Sequence, residues 1–403
     1  MAEVSFSEDP GFDFAVRCAL NGVAYKMSEV GEVLATSAGV ATGDLDGWFD
    51  AWTGRGRRVR AVAEACERDG HAESAAAAYL RAANYAFAGF WYVLGTSRPE
   101  RAAAAWREHR DGFEAAMRNW PAPVARLAIP FGDDELDGYL FSPASGGPNP
   151  LVVIVNGLDT PISDGMMIGV QDAVQRGYAA LVFDGPGQGH ALYASGLTAR
   201  ADFEPVLSAA LGSALAHPAV AGGEAALIGV SHGGYLAARA AAFEPRVRAL
   251  VLDPGIMRVV DSALAQLPDG LAARFREGDR EGFERELADA LPGSADLRFA
   301  AAKTPEPFGP GATLYDGLAS LAEMDLSEVA GRVVCPALVL DPDDAEAWAG
   351  QSKEVAAALG GPVTVERFTA EDGASLDCEI LAPQVRNQRV YDWLADVYPR
   401  SGS

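Results

Sequence analysis

Ser231 lies in Gly229-Val230-Ser231-His232-Gly233, a GxSxG pattern that directly follows the apolar run AALIGV and directly precedes GYLAARAAAF, a run with helical periodicity. A strand, a glycine-flanked serine and a helix in that order predict a nucleophile elbow, a sharp turn that exposes the serine Oγ at the C-terminal edge of a sheet. The chemistry it prepares is attack on, or polarisation of, a carbonyl. The amide of His232, at the start of the helix, would be one oxyanion donor. The second belongs on the loop after the apolar run LVVIVNG, at Leu158 or Asp159. A serine hydroxyl becomes a useful nucleophile only beside a base, and in this arrangement an acid and then a histidine follow the serine in the chain. The chain has five histidines, His71, His109, His190, His217 and His232, and none follows Ser231 except its immediate neighbour.

The elements that must position these residues are legible from hydrophobic rhythm. Residues 1 to 120 read as a helical domain. AEACERDGHAESAAAAYLRAANYAFAGFWYVLG is Ala-rich with apolar residues at helical spacing, and Pro99 opens a second amphipathic helix. Tyr85, Phe87, Phe90, Trp91 and Tyr92 either pack these helices together or line a pocket for a flat substrate. Residues 121–403 follow a different rhythm. VARLAIPFGDDELDGYLFSP alternates like two paired antiparallel strands, after which PLVVIVNG, YAALVFDG, AALIGV and RALVLDPG are apolar runs separated by helical stretches. That alternation predicts a mostly parallel, doubly wound sheet. Charged helical sequence interrupts it from about 256 to 330, as an insertion over the strand ends. The sheet resumes with CPALVLDPDD and TVERFTAEDG, and RNQRVYDWLADVY ends the pattern as a helix.

The blocks DGPGQGHAL, LTARADFEPVL and GVSHGGYLAARAAAFEPRVRALVLDPG, with the final NQRVYDWL, resemble the α/β-hydrolases grouped around 2,6-dihydroxypseudooxynicotine hydrolase, the fermentation-respiration switch protein and the fungal heptaketide-shortening hydrolases of melanin synthesis. The resemblance spans nearly the whole chain. It implies an α/β-hydrolase fold with a helical N-terminal lid domain, a Ser-Asp-His triad, and cleavage of a carbon–carbon bond beside a ketone in an aromatic or polyketide-like molecule. It also implies a homodimer, since many members are dimers.

The chain departs from that family pattern twice. The family's terminal block reads like EGAGEHC, whereas here Glu371-Asp372-Gly373-Ala374-Ser375-Leu376-Asp377-Cys378 puts Asp377 where the histidine belongs. The family's triad aspartate falls at Ala345, flanked by Asp344 and Glu346. Losing a triad serine or histidine costs on the order of 10⁶ in turnover in the best-studied case. An aspartate with an ordinary pKa of about 3.9 is a poor base, though burial raises it. Three readings follow. In the first, Asp377 moves the proton in a non-triad reaction such as cyclisation, elimination or C–C cleavage. In the second, His190, directly after DGPGQG, is a relocated base for ordinary serine hydrolysis. In the third, the fold is kept for binding alone. His232 either turns its ring under the helix or, beside Ser231, serves as the compensating base; Cys378 is either a small buried hydrophobe or a further candidate for the site; and His71, His109 and His217 are expected at the surface.

Composition sets outer limits. A formal net charge of −24 over 403 residues argues against nucleic acid or an anionic membrane as partner, because both need a basic surface. The four cysteines are scattered without metal-ligand spacing, so reduced thiols, a cytoplasmic location, no metal and no cofactor are expected. The expected partner is a small-molecule substrate.

Overall fold

The computed structural model describes residues 5–399. They form two compact units, one of residues up to Pro121 with Ser294–Lys303, the other of Ala122–Gly293 with the chain from Thr304 onward. Ser294–Lys303, inside the charged insertion, thus packs with the helical unit, which the local sequence does not reveal.

The helical unit is built on three long helices, Leu45–Arg68, Ala72–Phe90 and Ala102–Arg118. The Ala-rich stretch that reads as one helix is two. It breaks at Asp69-Gly70-His71, where Gly70 takes φ +79°, a left-handed conformation that glycine adopts without steric cost. Trp48, Trp52 and Tyr85 fill the centre of the unit, with ring centroids 5.2 and 5.8 Å apart in sequence. Tyr85, Phe87, Phe90 and Tyr92 are likewise buried side chains of this unit, and Trp91 is half-buried. His109 is not at the surface as expected. It is fully buried between the rings of Phe87 and Trp106, its Nδ1 lies 2.9 Å from the Ala83 carbonyl, and burial drives its pKa down to about 4, so it is a neutral core residue.

The second unit is an eight-stranded sheet in the order β1-β2-β4-β3-β5-β6-β7-β8. β1 (Val124–Phe131) and β2 (Asp134–Phe141) form the antiparallel hairpin, and β2 runs antiparallel to β4 (Ala179–Phe183). All other neighbours are parallel: β3 (Asn149–Val155), β5 (Val220–Val230), β6 (Val247–Asp253), β7 (Ala337–Pro342) and β8 (Val363–Phe368). β4 is completely buried and β3 nearly so, as strands covered by helices on both faces must be. The chain runs from β3 outward to β4 and then crosses back to β5 on the other side of β3. The strand order therefore reverses at β3, and the crevice beyond the C-terminal ends of β3 and β5 is where such sheets bind ligands. Helices Val260–Ala265 to Leu314–Ala322 occupy the chain between β6 and β7, and the helix Pro383–Val397 follows β8.

Candidate active site at the strand ends

The end of β5 has the geometry its glycines require. Ser231 adopts φ +54° and ψ −133°, a strained conformation for a residue with a side chain. It is held from both sides. Its N–H donates to the Asp253 carbonyl at 2.7 Å, and its own carbonyl accepts from Gly234 N–H at 2.7 Å. A Cβ on Gly229 would collide with the Gly233 carbonyl, and one on Gly233 with the Val155 carbonyl, so the turn closes only if both positions lack side chains. The helix His232–Ala241 starts immediately after, aiming its free amides and positive dipole end at the serine.

The loop after β3 faces that helix start. A methyl on Gly157 would sit 3.7 Å from His232 N, so Gly157 borders the space in front of the expected oxyanion donor. Leu158 and Asp159 follow, both half-buried. Gln188 braces this loop from below. Its Nε2 donates to the carbonyls of Asn156 (2.6 Å) and Gly157 (3.0 Å), and its Oε1 accepts from Gly185 N–H at 2.7 Å. Gln188 belongs to the DGPGQG block, and this bracing is a physical reason for a glutamine there. The His232 ring turns away and packs beside Tyr235. Burial pushes its pKa down to about 3, and its Nε2 is buried without a partner. It is a neutral packing residue whose amide faces the site.

The acidic side is assembled from the loops after β7 and β8. Asp344 is exposed, and its contribution is a backbone N–H donated to the Ser375 carbonyl at 2.8 Å. Ala345 enters the turn Glu346–Trp348. Asp377 is more enclosed. Burial, then the neighbouring Asp253 and Asp159 charges, push its carboxyl up to about 7. Cys378 Sγ lies 3.7 Å from Asp377 Oδ1 and 3.5 Å from the Asp253 carbonyl. That is the carbonyl that holds Ser231 N–H, so elbow and Asp377 loop converge on one backbone oxygen. Asp164, on the β3 loop, is raised to about 8 by burial and by Asp159.

His190 is half-buried at the start of the short helix Gly189–Tyr193, where its backbone N–H is tied to Asp184 at 2.8 Å. His71 is exposed, and His217 is half-buried with Nδ1 accepting from Ala219 N–H. Among the described residues, no group of three or more His, Cys, Asp or Glu side chains is arranged to hold a metal ion, and all four cysteines are free. No helix among the described residues is long and apolar enough to cross a membrane. A cleft of about 410 Å³ opens at the other end of the sheet, against Pro123, Ser142 and His217. Apart from His217 it carries none of the groups above, so the site is identified by its chemistry and not by this cavity. Gln188, Asp164 and Asp253 surround the elbow and are residues that local sequence does not single out.

Comparison with known proteins agrees with this architecture. Residues 23–273 match the FrsA-like esterase family. The hydrolase LUC6 of Fusarium sp is 28% identical over 411 residues, covering 96% of each chain. The 20-hydroxy-prefusarin hydrolase FUS2 of Gibberella moniliformis is 31% identical over 290 residues, covering 70% of this chain and 69% of that one. The crystal structure of 2,6-dihydroxy-pseudo-oxynicotine hydrolase matches with a TM-score of 0.72 at 20% identity, over 94% of this chain and 95% of that one, a likeness of fold.

Proposed function

The chain belongs to the FrsA-like esterase family of α/β-hydrolases, and on that premise we propose that it acts on a small aromatic or polyketide-like ketone, with Asp377 moving the proton that a triad histidine would otherwise move. It is an enzyme of the α/β-hydrolase superfamily, similar to fungal hydrolases of secondary metabolism, one of which is named for 20-hydroxy-prefusarin.

The observation that carries the proposal is the Asp377 carboxyl, raised to about 7 on the loop that shares the Asp253 carbonyl with Ser231. A group half-ionised near neutral pH serves as both base and acid, which an ordinary carboxylate does not. In this reading the His232 amide and an amide of the Leu158-Asp159 loop stabilise negative charge on a carbonyl oxygen, with Ser231 Oγ beside it, which the approach of Gly157 to His232 N supports. In a C–C cleavage of a β-diketone, water adds to one polarised carbonyl and gives its proton to the Asp377 carboxylate, while the second carbonyl holds the departing carbon as an enolate. The bond to the α-carbon then breaks, and Asp377 returns the proton to that carbon. The products are a carboxylic acid and a shortened ketone, so atoms and charge balance. Cyclisation and elimination use the same two parts, an electrophilic hole and one proton carrier.

Ser231→Ala and Asp377→Asn, assayed on a panel of aromatic β-diketones, test the reading. Asp377→Asn should lower turnover by about 10²–10⁴, and full turnover in both variants contradicts it. A fluorophosphonate that labels Ser231 in the wild type, with labelling abolished by His190→Ala, would establish conventional serine hydrolysis instead.

A further inference from the structure

Behind the elbow lies a charged cluster that the reaction above does not use. Asp253 at the end of β6, Glu379 two residues after Asp377, and Arg386 on the helix Pro383–Val397 are 1%, 0% and 3% exposed. Arg386 is committed largely to carbonyls. Its Nη1 donates to Cys378 O at 3.2 Å, and its Nη2 to Met167 O at 2.8 Å and Ile168 O at 3.2 Å, while its Nε donates to Asn387 Oδ1. It reaches Asp253 Oδ2 only at 3.5 Å. Beyond that long contact with Arg386, no donor meets the buried carboxyl oxygens of Asp253 and Glu379, and the Glu379 loop is brought against Asp253 by Cys378 Sγ, 3.5 Å from the Asp253 carbonyl, so that the two carboxyls act on each other. Two buried carboxylates that act on each other repel unless one of them holds a proton. One positive and two negative charges, all buried, also leave an uncompensated charge that a low-dielectric interior does not tolerate. A single proton removes both problems.

We infer that Glu379 and Asp253 share one proton and, balanced by Arg386, form a buried tie that makes Glu379 a positioning residue for Ser231 and Asp377. The tie acts through the backbone. Asp253 O receives Ser231 N–H and Cys378 Sγ–H, and Arg386 holds the Cys378 carbonyl. Cys378 and Glu379 adopt φ +51° and +46°, two successive left-handed residues without a glycine, and that turn sets where Asp377 stands. The charged and titratable groups facing the pair are Arg386 from the final helix and Asp377 and the Cys378 thiol from its own loop. Asp159, from the loop after β3, acts on Asp377. Burial pushes both carboxyls of the pair up, which favours keeping a proton on the pair.

The effect on turnover rests on the proposed function, but the shared proton does not, and the two are tested separately. The first arm is thermal melting of wild type and Glu379→Gln from about pH 5 to about pH 9. A carboxyl whose folded pKa lies above its unfolded value of about 4.3 stabilises fully below that value, and the contribution is lost as pH rises through the folded pKa. Glutamine keeps a neutral donor to Asp253 and carries no such loss. The melting difference should therefore move in favour of Glu379→Gln as pH rises, and a pH-independent difference overturns the shared proton. The second arm compares Glu379→Gln with Glu379→Leu in turnover. Leucine, lacking a donor, should lower kcat about tenfold or more with KM little changed and displace the pH limb set by Asp377, and glutamine should restore both. Equal damage from both substitutions, or none from leucine, overturns the positioning role. If no substrate is turned over by the wild type, the melting arm still decides.

Discussion

The loops that follow β5 and β8 meet at one carbonyl, that of Asp253, and are built from opposite materials. The elbow after β5 is backbone geometry: Gly229 and Gly233 admit no side chain, and Ser231 is fixed by hydrogen bonds to its own amide and carbonyl. The loop after β8 has left-handed residues too, but they are Cys378 and Glu379, and it carries carboxyls whose protonation is set by burial and neighbouring charge. Packing forbids almost every change in the first loop, whereas the second tolerates different side chains, and in the proposed function the one at 377 sets the chemistry. An intact GxSxG is accordingly strong evidence for where the site lies and weak evidence for which reaction occurs there.

That contrast can be broken from either side. The largest effect is expected from Gly233→Val, which drives a branched side chain into the Val155 carbonyl. It should cost about 3 kcal/mol or more of stability, at the upper end for overpacking, together with all turnover, as read by denaturant unfolding and an activity assay. If Gly233→Val folds and works normally, the elbow is not sterically closed. A smaller loss is expected from Gln188→Ala, which leaves the Asn156 and Gly157 carbonyls without their buried donor at about 1–3 kcal/mol. Its signature is a fall in kcat greater than any change in KM, because the oxyanion loop loosens. A pure stability loss with kcat intact would mean that Gln188 braces the fold and not the hole. The smallest effect is expected from Asp344→Asn. Its side chain is exposed and its backbone does the structural work, so stability should change by less than about 0.5 kcal/mol and turnover by less than about twofold. A large loss there would return Asp344 to the site as a true acid partner.

The parts of this architecture that were readable from sequence are those encoded locally. Strands buried on both faces announce themselves as unbroken apolar runs, and the GVSHGG junction between strand and helix marks the elbow without any distant information. Asp377 stands out as a departure from the resembled family's terminal block, and its role stays a proposal. Most of what escaped depends on contacts across the chain. His109 looks like any polar helix residue until Ala83, Phe87 and Trp106 are seen around it. The Asp69-Gly70 break is local, a left-handed glycine closed by His71 N–H to the Cys66 carbonyl, but strong helical periodicity on both sides masks it. Asp253, Glu379 and Arg386 lie on three separate segments, and only burial together turns three common surface residue types into one coupled group. Gln188 was visible inside a motif, but its partners lie some thirty residues away across a parallel strand pair.

The central claim is that Asp377 occupies the proton-moving position with a carboxyl poised near neutrality. It is tested most directly, and without a substrate, by infrared difference titration of the carboxyl stretch of wild type against Asp377→Asn. A carboxylic acid band that belongs to Asp377 and disappears with a midpoint near pH 7 is the predicted result. A midpoint near the ordinary aspartate value of about 3.9 would leave Asp377 a simple anion at neutral pH and contradict the account.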